Sequence, residues 1–194
     1  MINNDYLVDD SWHDSGGYCD FLPIKGDKTL GFKSFKRKDK AQYALDIQKK
    51  LSRFDLAPIP LTDLCKISYY FDPKLLEVWT PSITTTGWGF VTEKANLLPL
   101  ESMDIDCAKL GHTKYKCSYL PKIQKLVENI WNQTRLKFWD CHETNVGYIK
   151  RGRKKLFVCI DTGKESFDPH SNAWGFPEPG PKCCYCKRYQ CKCV

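Results

Sequence analysis

Asp140, Asn145 and Asp161 are the residues of this chain best suited to chemistry. The stretch Trp139-Asp140-Cys141-His142-Glu143-Thr144-Asn145-Val146-Gly147 is followed, after a basic turn, by the apolar run Leu156-Phe157-Val158-Cys159-Ile160 and then Asp161-Thr162-Gly163. An acid, an amide five residues on, and a second acid closing a strand-like run are the parts of a metal-dependent phosphoryl-transfer site. Mg²⁺ takes oxygen ligands and draws only one or two carboxylates from a protein, with substrate phosphates completing the shell. On that chemistry Asn145 and Asp161 supply the metal oxygens, and Asp140 orients and deprotonates an attacking hydroxyl.

The elements that must position these groups are legible in outline. Phe21 to Ile24 and Leu30 to Phe35 read as strands, split by the Gly-containing loop Lys25-Gly26-Asp27-Lys28. From Asp39 to about Phe54 a helical period puts Ala41, Ala44, Leu45, Gln48 and Leu51 on one face, with Asp46 nearly opposite. Pro58 and Pro60 end that helix, because the residue before a proline is pushed to extended backbone. Leu64 to Phe71 and Trp88 to Thr92 are further strands. A second helix is expected from Tyr119 to Thr134, with Leu120, Ile123, Val127, Ile130, Trp131 and Thr134 on its inner stripe. It feeds the Asp140 segment, which leads into a hairpin turning at Lys150 to Arg153. Residues 97 to 118 give no clear periodicity.

This order and spacing resemble the protein-kinase-like superfamily, whose catalytic loop carries an Asp and an Asn five apart and whose metal Asp opens a D-F-G or D-x-G triplet. The form Asp140-x-His142-x-x-Asn145 is similar to that of small-molecule phosphotransferases and compact phage-encoded kinase-like proteins. The resemblance spans about Gly16 to Gly163, with its specific motifs in the last third. It implies an α+β, minimal bilobal fold: a kinase-like N-lobe over residues 1–93, a truncated C-lobe with the catalytic loop over 94–170, and a Pro/Gly-rich linker with a cysteine-rich tail over 171–194. The 31 residues after Gly163 are too few for the activation segment and helices on which full-length kinases dock peptides, hence the truncation.

The resemblance also assigns roles. Lys33 steadies the nucleotide phosphates, and Gln48 holds Lys33 by an amide hydrogen bond where kinases use a Glu on this helix. Gly87 to Glu93 is similar to the strand entering the kinase hinge, where backbone groups bind adenine. His142 braces Asp140 or the backbone near Asp161, and Phe138 stands where many relatives carry the His of H-x-D. The cofactors implied are ATP and Mg²⁺. The expected activity is transfer of the γ-phosphoryl group to a hydroxyl of a protein or small molecule. The alternative is a pseudokinase-like nucleotide-binding interaction module, of the kind a phage or viral effector would use, gripping a partner through its tail.

The same residues have competing spellings. Asp161-Thr162-Gly163 is also the aspartic-protease triplet, but Lys164 occupies the place where those proteases carry Ser or Ala. Asp140-x-His142 opens the metallophosphoesterase motif, yet no Gly-Asp or Gly-Asn-His segment follows it. A zinc deaminase needs H-x-E with P-C-x-x-C; His142 and Glu143 are adjacent, and Pro181 lies one residue too early.

Five of the eleven cysteines crowd the last twelve residues. Cys183, Cys186, Cys191 and Cys193, in C-x-x-C, x4, C-x-C spacing, suit one tetrahedral Zn²⁺ at Zn–S distances of ~2.3 Å, and Cys184 could replace Cys183. An intermolecular site, disulfides or a reactive tail remain open for the same residues. Lys182, Lys187, Arg188 and Lys192 would make this tail a basic module for a nucleic acid or an acidic protein. The other cysteines lack framework spacing and read as buried hydrophobes or free thiols of a reducing compartment.

Composition sets the outer limits. At 42% hydrophobic residues in 194, the chain can bury one sizeable core or two small lobes. A formal charge of +7 favours polyanions such as nucleotides. No run approaches the ~18 apolar residues of a membrane span, and no basic-then-apolar leader is present, so no membrane association is expected and a cytoplasmic protein is (host cytoplasm for a viral one).

Overall fold

The structure, a computed structural model, describes residues 14–15, 19–71, 83–98, 120–141 and 145–167. His142 and the tail cysteines Cys183, Cys186, Cys191 and Cys193, with the whole proposed linker and tail over 171–194, lie outside the described residues. The described chain is mixed α+β, with two small antiparallel sheets and three helices. It divides into two compact units, one of Met1–Lys49 with Ile59–Lys94 and one of Lys50–Pro58 with Ala95–Val194. No described helix is long and apolar enough to cross a membrane.

In the first unit, β1 (Asp14–Ser15), β2 (Asp20–Ile24), β3 (Asp27–Phe35), β4 (Cys65–Phe71) and β5 (Ile83–Glu93) form a sheet in the order β1-β2-β3-β5-β4. The β2–β3 loop is tighter than its sequence implies. Ile24 pairs with Asp27, leaving Lys25 and Gly26 as the turn, and Gly26 takes φ +81°, where a side chain would be strained. Asp27 then accepts both the backbone N–H and the hydroxyl of Thr29, which holds its carboxyl below the usual carboxylate range.

Strand alternation decides what faces the helix α1 (Lys38–Ser52). Register aligns Phe35 with Trp88, Lys33 with Phe90 and Gly31 with Thr92. Phe35 and Phe90 pack against Ala41, Ala44 and Leu45 of α1, while Leu22, Ile24, Phe32 and Val91 form a cluster of the opposite parity. Gln48 is buried on the apolar stripe of α1 and Asp46 is exposed, as the helical period implied. Arg37, just before the helix, donates to Asp39 in its first turn. Lys33 thus lies on the covered face because its register partner is Phe90.

In the second unit, β6 (Asn96–Leu97), β7 (Val146–Arg151) and β8 (Lys154–Cys159) form an antiparallel sheet. α2 (Leu120–Thr134) buries Ile123, Leu126, Ile130 and Thr134. This corrects the expected stripe: Leu126 is inside, and Trp131 is 40% exposed, with Arg135 and Lys137 over its ring. Residues 50–58, which leave α1, belong to this unit, and Cys159 N–H donates to Leu56 O at 2.9 Å. The short α3 (Lys164–Phe167) completes the described elements.

Candidate active site

The β7–β8 hairpin brings the candidate catalytic residues together. Val146 pairs with Cys159 at its root, and one further ladder bond runs from Ile160 N–H to Asn145 O at 3.0 Å. The residue before β7 therefore stands beside the residues that follow β8, and a separation of sixteen positions closes across one strand pair. Asn145 reaches back as well: its Nδ2 donates to Asp140 O at 2.9 Å and to Asp140 Oδ2 at 3.0 Å. These bonds use the amide's two donor hydrogens, so a cation would be met by its acceptor oxygen Oδ1.

Asp161 is held by its own turn. Its Oδ1 accepts Gly163 N–H at 2.9 Å and its Oδ2 accepts the Ser166 hydroxyl at 2.8 Å. An aspartate bonded to the backbone two residues on makes an Asx turn. A Cβ at Gly163 would lie 3.1 Å from Asp161 Oδ1 and 3.1 Å from Glu165 Oε2, so a side chain there would push on the carboxylate this turn holds. An ionised carboxylate offers about four lone-pair sites, so these two bonds leave acceptor capacity for a cation. Trp139 N–H donates to Ser166 O at 2.8 Å, which ties the Asp140 segment to α3. Asp140, Asn145 and Asp161 are all half-buried, neither sunk in the core nor fully in solvent.

Phe138 is buried and stacks on Phe167 with ring centroids 5.2 Å apart. The segment is braced by apolar packing at that position. Cys141 and Cys159 are buried free thiols, and Cys159 Sγ lies 3.0 Å from Asp161 O.

A separate polar group lies within the first unit. Lys33 is 6% exposed, and its Nζ donates to Gln48 Oε1 at 3.4 Å, a long bond. Gln48 Nε2 donates to Thr92 Oγ1 at 2.6 Å, and the Thr92 hydroxyl donates to Ile59 O at 3.1 Å. Glu93 next door is committed to backbone pairing: its N–H donates to Ile59 O at 2.9 Å and its Oε2 accepts Ile59 N–H at 3.3 Å. An adenine at this strand end would have to use other backbone groups.

Sequence reasoning missed Thr92 and Ser166. Thr92 had a signal, since it shares the parity of Phe90 on β5. Ser166 had none, because its role depends on how the chain folds back after Gly163. Among the described residues no three His, Cys, Asp or Glu side chains gather as a metal site.

The chain carries a second D-[ST]-G triplet, Asp14-Ser15-Gly16, and the groups bonded to the Asp161 carboxylate are Gly163 N–H and the Ser166 hydroxyl. No protein-family model matches the chain, and no match was found among curated proteins or solved structures.

Proposed function

We propose that the protein is an atypical minimal phosphotransferase that moves the γ-phosphoryl group of ATP to a hydroxyl. The observation that carries this reading is the Asn145–Asp140 side-chain bond at the root of a hairpin whose last ladder bond, Ile160 N–H to Asn145 O, adjoins Asp161. The donor set fits Mg²⁺: a carboxylate and an amide oxygen are hard ligands, and a nucleotide's phosphates complete such a shell. Asn145 and Asp161 would hold the ion, which when bound neutralises charge on the phosphates.

The chain's own groups do the rest. Asp140 accepts the proton of the attacking hydroxyl, and Asn145 Nδ2 fixes the carboxylate that must do so. Ser166 and Gly163 N–H fix the orientation of Asp161. Catalysis of this type is mostly positioning and electrostatic stabilisation, so few groups suffice. The acceptor is a protein or small-molecule hydroxyl.

A second reading is favoured by one observation. Gln48 presents a neutral amide to Lys33, where a kinase helix presents a carboxylate. A nucleotide-binding module without turnover would tolerate that replacement, and the cysteine tail would then grip a partner. Both readings are tested by incubating the full chain with Mg²⁺ and γ-labelled ATP, with wild type beside Asp161→Asn. Label transfer that Asp161→Asn abolishes supports the enzyme. Nucleotide binding without transfer across a broad acceptor panel supports the module. Absence of nucleotide binding sinks both. Metal analysis of the full chain beside a Cys186→Ser, Cys191→Ser double variant tests the zinc expectation separately.

A further inference from the structure

The β7–β8 hairpin carries more positive charge than its fold uses. Lys150, Arg151, Arg153, Lys154 and Lys155 fill five of the six positions from 150 to 155, with Gly152 turning the chain at φ +58°. Register sets Lys150 opposite Lys155 and Arg151 opposite Lys154. Like charges directly across an antiparallel pair destabilise it. Asp55 meets Arg151 at 3.4 Å. Among the described residues no ion pair reaches Lys150, Arg153, Lys154 or Lys155. A lysine discourages strand addition at a sheet edge, but edge protection does not call for two opposed cation pairs.

One face of the hairpin is graded from apolar to aromatic to cationic. Alternate residues share a face, so Val146, Tyr148 and Lys150 align with Cys159, Phe157 and Lys155. The first pair is buried, the aromatic pair is half-buried and the lysine pair is exposed. Lys155 Nζ lies 3.5 Å from the Tyr148 ring centroid, and Lys122 Nζ, on α2, lies 5.1 Å from that of Phe157.

We propose that this hairpin face, with Lys122 beside it, binds single-stranded nucleic acid, its cations on phosphates and Tyr148 and Phe157 stacked on bases. Sequence-tolerant single-strand binding combines a cationic track with aromatic faces. Lysine ammonium groups ride on flexible stems, so Lys155 and Lys122 exchange a ring for a phosphate and release that ring to a base. Phosphates between the opposed cations remove their repulsion, so binding and hairpin stability reinforce each other. A duplex hides its base faces, and an acidic peptide has no flat group for the rings. None of this depends on the phosphotransfer reading.

The test is fluorescence anisotropy of the full chain with a labelled oligothymidylate and oligouridylate, beside a duplex of equal length and polyglutamate. Single strands should bind tightest, with affinity falling as salt rises. Lys150→Glu should weaken single-strand binding about tenfold by replacing a phosphate contact with repulsion. It should also raise the melting temperature, because Lys155 then faces an acid. A gain in stability with a loss in binding separates the effect from unfolding. Tyr148→Leu should weaken single-strand binding about tenfold through lost stacking, and leave duplex binding unchanged; Phe157→Leu serves where a melting curve shows the first variant unfolded. The proposal is overturned by no oligonucleotide binding, by binding that Lys150→Glu leaves intact, or by duplex or polyglutamate bound as tightly as the single strand.

Discussion

The two polar groups at the centre of this protein differ in how they meet solvent. Lys33, Gln48 and Thr92 are each at most 6% exposed, sealed between a sheet face and α1. Asp140, Asn145 and Asp161 are half-buried at the root of a hairpin. Polar groups that fold into a core must bond one another, because an unmet donor there costs ~1–3 kcal/mol. Groups at a hairpin root can exchange their partners for a ligand at little cost. The first arrangement is therefore expected to weigh mainly on stability, and the second mainly on chemistry.

Four substitutions can break or sharpen that contrast. The largest effect is expected from Asp161→Asn, which keeps the shape of the turn but removes the charge. Transfer from γ-labelled ATP should fall by about a thousandfold or more, equivalent to ~4 kcal/mol in the barrier, with the urea midpoint little changed. Gln48→Leu should do the reverse. It removes the amide that the buried Lys33 and Thr92 bond to, and urea unfolding should show a loss of about 2–4 kcal/mol. Should Gln48→Leu leave stability intact while Asp161→Asn unfolds the chain, the contrast is inverted.

Ser166→Ala removes the hydroxyl that orients Asp161 Oδ2. It should lower transfer about tenfold and stability by ~1 kcal/mol, a graded version of the first effect. The smallest change concerns Asp39, which Arg37 holds below its ordinary value of 3.8 by a side-chain hydrogen bond. A carboxyl depressed in the folded state contributes stability above its unfolded value, lost as pH falls through the folded one. Because the pair is exposed, Asp39→Asn should shift the thermal midpoint barely at neutral pH, and the difference should vanish below pH 3.8.

Much of the scaffold could be read before any coordinates. The 3.6 period over α1 placed Gln48 inward and Asp46 outward, and both lie so. The strands β2, β3, β4, β7 and β8 fall where alternation and turn residues put them, with shifts of a few residues at their ends. Trp131 shows where periodicity misleads: an aromatic at the margin of a helical stripe fits either side, and here nearby Arg135 and Lys137 cover it at the surface. The site was legible by motif at Asp140, Asn145 and Asp161, and illegible at Ser166.

The sequence by itself determined which segments alternate, which turn and which oxygen-bearing side chains recur at a fixed spacing, because those properties are set by neighbours along the chain. Only the tertiary structure decided that Asn145 grips Asp140, that Ser166 holds Asp161 and that Gln48 links Lys33 to Thr92. Such bonds depend on strand register and on where a turn returns the chain. In a register slip of one residue Lys33 would face the other side of its sheet.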